Sequence, residues 1–268
     1  MITFVNVLEG NLKLLSSVLS YIGIYHLYET FLERQVKKKA LPGNIGIILD
    51  NNGGDESNRS VSEHSSHAIN LNYKTKSIIE WCQILGIKIV TLLALPPARK
   101  DSDYTNIEQE LYNLLRDDGL FHRHKLRVKG LGDINRFPSS IRKTLSELEG
   151  ATSKYNENFL NIAVENGGRL EIIEVVRALA GKVSRGELEP QNIDASLMED
   201  HLFTAHLPQQ NPDLIIRTSG EERLTDFFLW QSAYSELVFL DVYWPAFRKI
   251  DLMRAIRTYQ NRVRRFGQ

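Results

Sequence analysis

The chain has 268 residues, 42% of them hydrophobic, and its 33 Lys and Arg balance its 33 Asp and Glu, for a net charge of zero. That length buries an ordinary core in one large domain or two small ones. The balance excludes a broad nucleic-acid surface, which needs a basic excess, so any anion site must be local. The one cysteine, Cys82, excludes a disulfide framework and a cysteine metal cluster, and fits a reducing, cytoplasmic compartment.

Leu12, Leu14, Leu15, Val18, Leu19, Ile22, Leu27 and Leu32 recur at roughly helical spacing, so residues 1–41 read as a helical extension closed by Arg34 and Lys37-Lys38-Lys39. Its longest uncharged stretch, Leu14 to Tyr28, holds Ser16, Ser17, Ser20 and His26 and is too short and polar to cross a bilayer. It also lacks the cationic start and small-residue cleavage site of a secretory leader. The plain expectation is an accessory helix packed on the domain. The alternative is an interfacial helix, apolar in body and basic at its end, that makes peripheral membrane contact.

Pro42-Gly43 breaks that helix, and Ile45 to Leu49 reads as a buried strand ending in Asp50. Asp50 is either a turn aspartate or a Mg²⁺ or acid–base group. A loop follows through His64 and His67, then a helix to about Leu85, with Ile78, Ile79, Trp81 and Cys82 turned inward and Gly86 at its end. Neither histidine has a third ligand nearby at metal spacing, which leaves at most one acid–base member there.

The next strands read as Ile87 to Leu95, Leu126 to Leu131 and Phe159 to Val164. Helices are expected around Ile107 to Leu115, Ile141 to Leu148 and Ile172 to Leu179. Gly167-Gly168-Arg169 stands at a strand-to-helix junction, where it forms either an anion nest or a tight turn. After a linker at 185–193 come a short strand, Leu214 to Ile216, another from Glu236 to Leu240, and a final helix after Trp244-Pro245. About six strands alternating with helices imply a mostly parallel sheet with right-handed crossovers. The fold class is α/β: one domain with a six-stranded sheet flanked by helices, plus the N-terminal helical extension.

The stretch from Asn211 to Trp230 concentrates the chemistry. Just past a strand's carboxyl end come Arg217, Thr218, Ser219, Gly220, Glu221, Arg223 and Thr225. In open parallel sheets ligands bind there. Guanidiniums match phosphate with a planar fork of donors, and Gly220 lets backbone N–H groups approach an anion. The bland alternative is a polar loop whose arginines pair with Glu221, Glu222 and Asp226. The hydroxyls and the position after a buried strand favour an oxyanion site for phosphate or diphosphate.

Pro212 to Glu221, Arg223, Phe228 to Tyr234 and Glu236-Leu237 resemble the signature of cis-prenyltransferases, the undecaprenyl and polyprenyl diphosphate synthases. Asn161 to Ile172 and Arg264 to Gly267 resemble their internal Gly-Gly-Arg segment and their Arg-x-Gly ending. The resemblance runs over 42–268 and implies a catalytic domain there. It implies Mg²⁺, a homodimer or heterodimer with a related subunit, and Z-type condensation of isopentenyl diphosphate with an allylic prenyl diphosphate. Arg217, Ser219, Arg223, Thr225, Arg265 and Gly267 would bind isopentenyl diphosphate. Asp50 and Asn52 would be catalytic, Asp50 and Glu236 would hold the metal, and Gly53 and His67 would meet the allylic substrate.

The departures cluster in the first half. Where the family places a phosphate-binding arginine after its aspartate, this chain has Gly54, with Asp55 and Glu56 next; a second arginine position is Glu63. The Tyr/Phe-Ser-x-Glu-Asn-Trp segment of the family reads Leu95 to Lys100. Two alternatives therefore stand beside an active synthase. One is a non-catalytic or half-catalytic subunit of a heteromeric cis-prenyltransferase. The other is an enzyme that reuses the fold on a prenyl diphosphate.

Overall fold

A computed structural model describes residues 23–48, 64–95, 118–134, 139–164, 168–224, 226–242 and 244–262. The chain divides into two compact units, one of residues 1–41 with 248–268 and the other of 42–247. The sequence expectation divided it at 41/42, with 248–268 in the larger part. Among the described residues no helix is long and apolar enough to cross a membrane.

The larger unit is built on six parallel strands: β1 (Asn44–Ile48), β2 (Ile89–Leu95), β3 (Leu126–Leu131), β4 (Asn158–Val164), β5 (Leu214–Arg217) and β6 (Glu236–Phe239). Their order is β3-β4-β2-β1-β5-β6, and every pairing is parallel. The helices are α2 (His64–Leu85), α3 (Asp118–Arg123), α4 (Ser139–Thr152), α5 (Gly168–Ser184) and α6 (Ala195–Glu199), after α1 at residues 23–37. From β1 the chain passes to β2 on one side and returns as β5 on the other. The carboxyl ends of β1 and β5 therefore flank the switch point at which open α/β sheets form a crevice.

Burial follows position in the sheet. Every residue of the central strands β1 and β5 is buried, which their near-continuous apolar sequences allow. The edge strand β3 alternates between buried and half-buried residues. Its edge is covered by α4: Val128 N–H donates to Thr152 Oγ1 at 3.0 Å and Gly130 N–H to Glu149 Oε1 at 2.7 Å. Such side-chain acceptors blunt an otherwise open ladder. The helix lies so close that a Cβ on Gly130 would meet Leu145 Cδ2 at 2.5 Å.

The sheet confirms the expected strands within two residues, and the largest shift has a clear cause. Gly86 sits at φ +81°, Gly86 N–H donates to Gln83 O at 3.0 Å, and Ile87 N–H donates to Cys82 O at 2.9 Å. This paired closure ends α2 and takes Ile87 and Lys88 out of the strand. His64 and His67, expected in a loop, have helical backbone in α2; no Gly or Pro interrupts the sequence from Asp55 to Leu85. Two short helices, α3 and α6, were not foreseen. Asp194 caps α6 by accepting from Leu197 N–H at 2.8 Å. The helix expected around Ile107 to Leu115 lies outside the described residues.

The smaller unit pairs α1 with α7 (Lys249–Asn261). Lys249 Nζ lies 2.6 Å from Glu33 and 3.4 Å from Glu29, and Gln260 donates to Val36 O at 2.9 Å. The hydrogen bond from Lys249, with a second from Lys37, holds the Glu33 carboxyl below its ordinary value.

Candidate active site

The segment after β5 is held at nearly every residue. Arg217 closes β5, level with Ile48 at the end of β1. Its guanidinium is buried, at 3% exposure, and Nη1 donates to the Arg223 carbonyl. The side chain therefore spans the base of the loop it begins. Thr218 N–H and Oγ1 both donate to Ile48 O, at 3.3 and 3.2 Å. Further on, Phe227 and Phe228 stack at 4.2 Å and enter a core cluster with Ile48, Leu131, Ala163 and Ile215. Gly46 in β1 makes room, since a Cβ there would meet Phe227 Cε1 at 2.9 Å. Two buried aromatics thus anchor the far end of the loop under the carboxyl ends of the strands.

Between these anchors the backbone is unusual. Ser219, Asp226 and Phe228 have φ of +76°, +63° and +51°, and Gly220 has +70°. Non-glycine residues in the left-handed region cost free energy and cluster at functional sites. The anion nest expected at Gly220 is not formed, because the amides of Ser219 and Gly220 are bonded to carbonyls just past β6. Ser219 N–H donates to Val242 O at 3.0 Å and Gly220 N–H to Leu240 O at 2.9 Å. Recognition of an anion here falls to side chains. Ser219 Oγ is a buried atom without a hydrogen-bond partner among the described residues. Arg223 is exposed and pairs with Glu221 at 2.8 Å. A solvent-exposed pair of this kind is worth ~0–1 kcal/mol, so Arg223 can leave it for a diphosphate at little cost.

Gly168 and Arg169 take the turn alternative rather than the open nest, and Gly167 lies outside the described residues. Gly168 N–H donates to the Asp226 carbonyl at 3.0 Å, and Arg169 N–H donates to Asp226 Oδ1 at 3.1 Å, with Arg169 Nε 3.7 Å away. Asp226 fills the amino end of α5, where a carboxylate is favoured. A Cβ on Gly168 would sit 2.6 Å from the Asp226 carbonyl and 2.7 Å from Leu229 Cγ. Asp226 is thus committed to α5 rather than to the arginines of its own loop.

A small pocket opens beside this junction, with Leu93, Leu131, Ala163, Phe203 and Phe227 among its walls. Among the described residues its charged lining is Glu171 and Asp226, which suits an apolar chain and not a diphosphate. Burial raises the Glu171 carboxyl above its ordinary value, against hydrogen bonds from Phe203 N–H at 2.6 Å and Gln231 at 3.1 Å. Below, Asn161 links Thr91 Oγ1 at 3.0 Å to the His206 ring at 3.1 Å. Burial, helped by Lys129, pushes the His206 imidazole down to about 4. His206 is neutral scaffolding at ordinary pH.

Arg217, Ser219 and Arg223 are therefore brought together. Glu236 is not: it stands at the amino end of β6, level with Leu214, three residues below the register of Arg217. At ~3.3 Å per residue that is about 10 Å down the strand. Asp50, Asn52, Gly53, Thr225, Arg265 and Gly267 lie outside the described residues, as does the side chain of His67. Among the described residues no group of three His, Cys, Asp or Glu could hold a metal ion. The roles of Asp226, Glu171, Gln231 and His206 were missed from sequence. Only Asp226 carried a signal, its place in the charged loop.

The geometry agrees with what the chain is similar to. The Prenyltransf family model, which describes undecaprenyl diphosphate synthases, matches residues 48–267. A tritrans,polycis-undecaprenyl-diphosphate synthase (geranylgeranyl-diphosphate specific) of Methanocaldococcus jannaschii is 42% identical over 253 residues, covering 92% of this chain and 90% of that one. The enzyme of the same name from Methanopyrus kandleri is 41% identical over 251 residues, covering 91% and 92%. Lavandulyl diphosphate synthase from Lavandula x intermedia, crystallised with dimethylallyl diphosphate, superposes with a TM-score of 0.78 at 33% identity, covering 85% of this chain and 99% of that one. With a parallel α/β sheet and an arginine loop at its switch point, this chain belongs to the undecaprenyl diphosphate synthase family, the cis-prenyltransferases.

Proposed function

We propose that the chain is a Z-polyprenyl diphosphate synthase that extends geranylgeranyl diphosphate with isopentenyl diphosphate. The observation that carries this is the loop after β5. A buried Arg217 shapes it, Arg223 is exposed on it, and the unsatisfied Ser219 Oγ lies buried within it. Those groups take the diphosphate of isopentenyl diphosphate, joined by Thr225. Arg265 and Gly267 complete that site across a dimer interface. The exposed Ile173 and Val176 of α5 offer apolar surface for a second copy.

The allylic substrate is read from the relatives whose names specify geranylgeranyl diphosphate. Its apolar tail starts along the apolar walls between β2, β4 and the Phe227 loop, formed by Leu93, Ala163 and Phe227. Its diphosphate faces the segment after β1, where Asp50, Asp55, Glu56 and Glu63 stand against Arg59 alone. Four carboxylates repel a diphosphate unless a cation lies between them, and oxygen donors suit a hard divalent ion. Asp50 is the residue that would hold Mg²⁺, and Glu236, at the amino end of β6, is the second candidate carboxylate. Bound there, Mg²⁺ would supply charge that stabilises the departing diphosphate. Asn52, Gly53 and His67 belong to this allylic side. In the condensation the allylic C–O bond breaks, the alkene of isopentenyl diphosphate forms the new C–C bond, and a proton leaves its C2.

A competition among allylic diphosphates tests the substrate assignment. With labelled isopentenyl diphosphate and Mg²⁺, geranylgeranyl diphosphate should give the highest kcat/KM, above farnesyl and dimethylallyl diphosphate. Preference for dimethylallyl diphosphate with a single condensation would replace this reading with a short-chain one.

A further inference from the structure

Helix α1 has two unlike faces. One carries Glu29, Glu33 and Val36, which bind Lys249 and Gln260 of α7, and the buried Leu32. The other carries Ile24, Leu27 and Phe31, which are 66%, 71% and 55% exposed. Spacings of three and four residues place these three on one stripe. The same stripe continues through Arg34 and Lys38, both exposed. Single exposed apolar residues are ordinary, but a stripe at helical period marks a surface that something covers.

Charge narrows what covers it. Residues 1–41 and 248–268 together hold twelve Lys and Arg against four Asp and Glu, whereas residues 42–247 hold twenty-one against twenty-nine. The neutral chain is thus made of two oppositely charged parts, and the stripe lies on the part that is net positive by eight. The same face of a second copy, in a symmetric pair, would bring like charge to like charge. An apolar stripe that ends in cations, on a strongly basic unit, complements a surface that is apolar within and anionic at its headgroups.

We infer that α1 docks the protein on an anionic bilayer. Ile24, Leu27 and Phe31 enter the boundary between headgroups and acyl chains, and Arg34 and Lys38 meet headgroup phosphates. The helix lies on the membrane and does not span it. At ~1.5 Å per residue, residues 23–37 fall short of the ~30 Å hydrocarbon core.

Flotation of the full chain with phosphatidylcholine vesicles, with and without phosphatidylglycerol, tests this. Binding should require phosphatidylglycerol and weaken as salt rises. The double variant Leu27→Ser and Phe31→Ser, which leaves charge unchanged, should lower partitioning roughly tenfold or more. Arg34→Gln with Lys38→Gln should lower it less, with helical content unchanged by circular dichroism in both. Three results would overturn the inference: no vesicle binding, equal binding by the serine variant, or equal binding to vesicles of phosphatidylcholine alone. A fourth is a wild-type dimer, seen by light scattering, that the serine variant dissociates, which would give the stripe to a second copy. The assay needs no substrate, so its outcome is separate from the synthase reading.

Discussion

Two segments leave the carboxyl ends of neighbouring strands, one after β1 and one after β5, and their chemistries are opposite. The segment from Arg217 to Trp230 has two arginines and three carboxylates, and two of those carboxylates have partners: Glu221 on Arg223, Asp226 on the start of α5. Of its cations, Arg217 is held in place by the fold and Arg223 is exposed. The segment from Asp50 to Glu63 has four carboxylates and one arginine. On the proposed function, the contrast has one fold bind two diphosphates by different means, guanidiniums on one side and a recruited cation on the other. It also locates the departure from the family pattern on the side where a metal can compensate for a missing arginine.

Substitutions can break this contrast at either end. Arg217→Ala should have the largest effect. It removes the buried donor to the Arg223 carbonyl together with the proposed diphosphate contact. Two charge-assisted hydrogen bonds at ~1.5–3 kcal/mol each correspond to a fall in kcat/KM of about 10²–10⁴. Steady-state kinetics at varied isopentenyl diphosphate would show it, and a loss under tenfold would remove Arg217 from the site. Gly168→Ala comes next. Its methyl group would meet the Asp226 carbonyl at 2.6 Å, so stability should drop by about 1–3 kcal/mol in urea unfolding. An unchanged midpoint would mean that Asp226 does not tie the loop to α5.

The scaffold beneath the two segments sets a pH dependence of its own. His206 has its imidazole pushed down to about 4, below the ordinary 6.5. The unfolded chain therefore takes up a proton that the folded chain does not as pH falls from 6.5 towards 4. Stability contributed by neutral His206 is complete above about 6.5 and drains away across that window. With allowance for the ring's partial exposure the loss is about 2 kcal/mol. His206→Gln should flatten the curve of unfolding free energy between those values, and an unflattened curve would place the titration elsewhere. Arg223→Ala should have the smallest effect on stability, within about 0.5 kcal/mol, because its partner is exposed. Yet it should raise KM for isopentenyl diphosphate roughly tenfold. That split between stability and binding separates a ligand-facing arginine from a structural one.

Much of this was legible in the sequence because local pattern and fold agree. Near-continuous apolar runs such as Asn44 to Ile48 and Leu214 to Ile216 are what strands buried on both faces require, and both lie at the centre of the sheet. The loop after β5 was legible as a site because hydroxyls, arginines and glycine crowd one strand end. How that loop is held was not, since it depends on partners far along the chain: Asp226 on α5, Phe227 beside Gly46, Gln231 on Glu171. The closure at Gly168 and Arg169 was equally hidden. A glycine pair reads the same whether an anion or a distant aspartate fills the helix end. The place of Glu236 could not be read either, because its neighbourhood depends on strand register rather than on its motif.

The most direct test of the account is turnover by the purified chain alone. Labelled isopentenyl diphosphate, geranylgeranyl diphosphate and Mg²⁺ would be supplied to wild type, Asp50→Ala and Arg217→Ala. The account predicts label in long Z-polyprenyl products from the wild type, and none beyond background from either variant. Absence of product from the wild type with any allylic primer, while isopentenyl diphosphate still binds, would contradict it and make the chain one half of a heteromeric synthase.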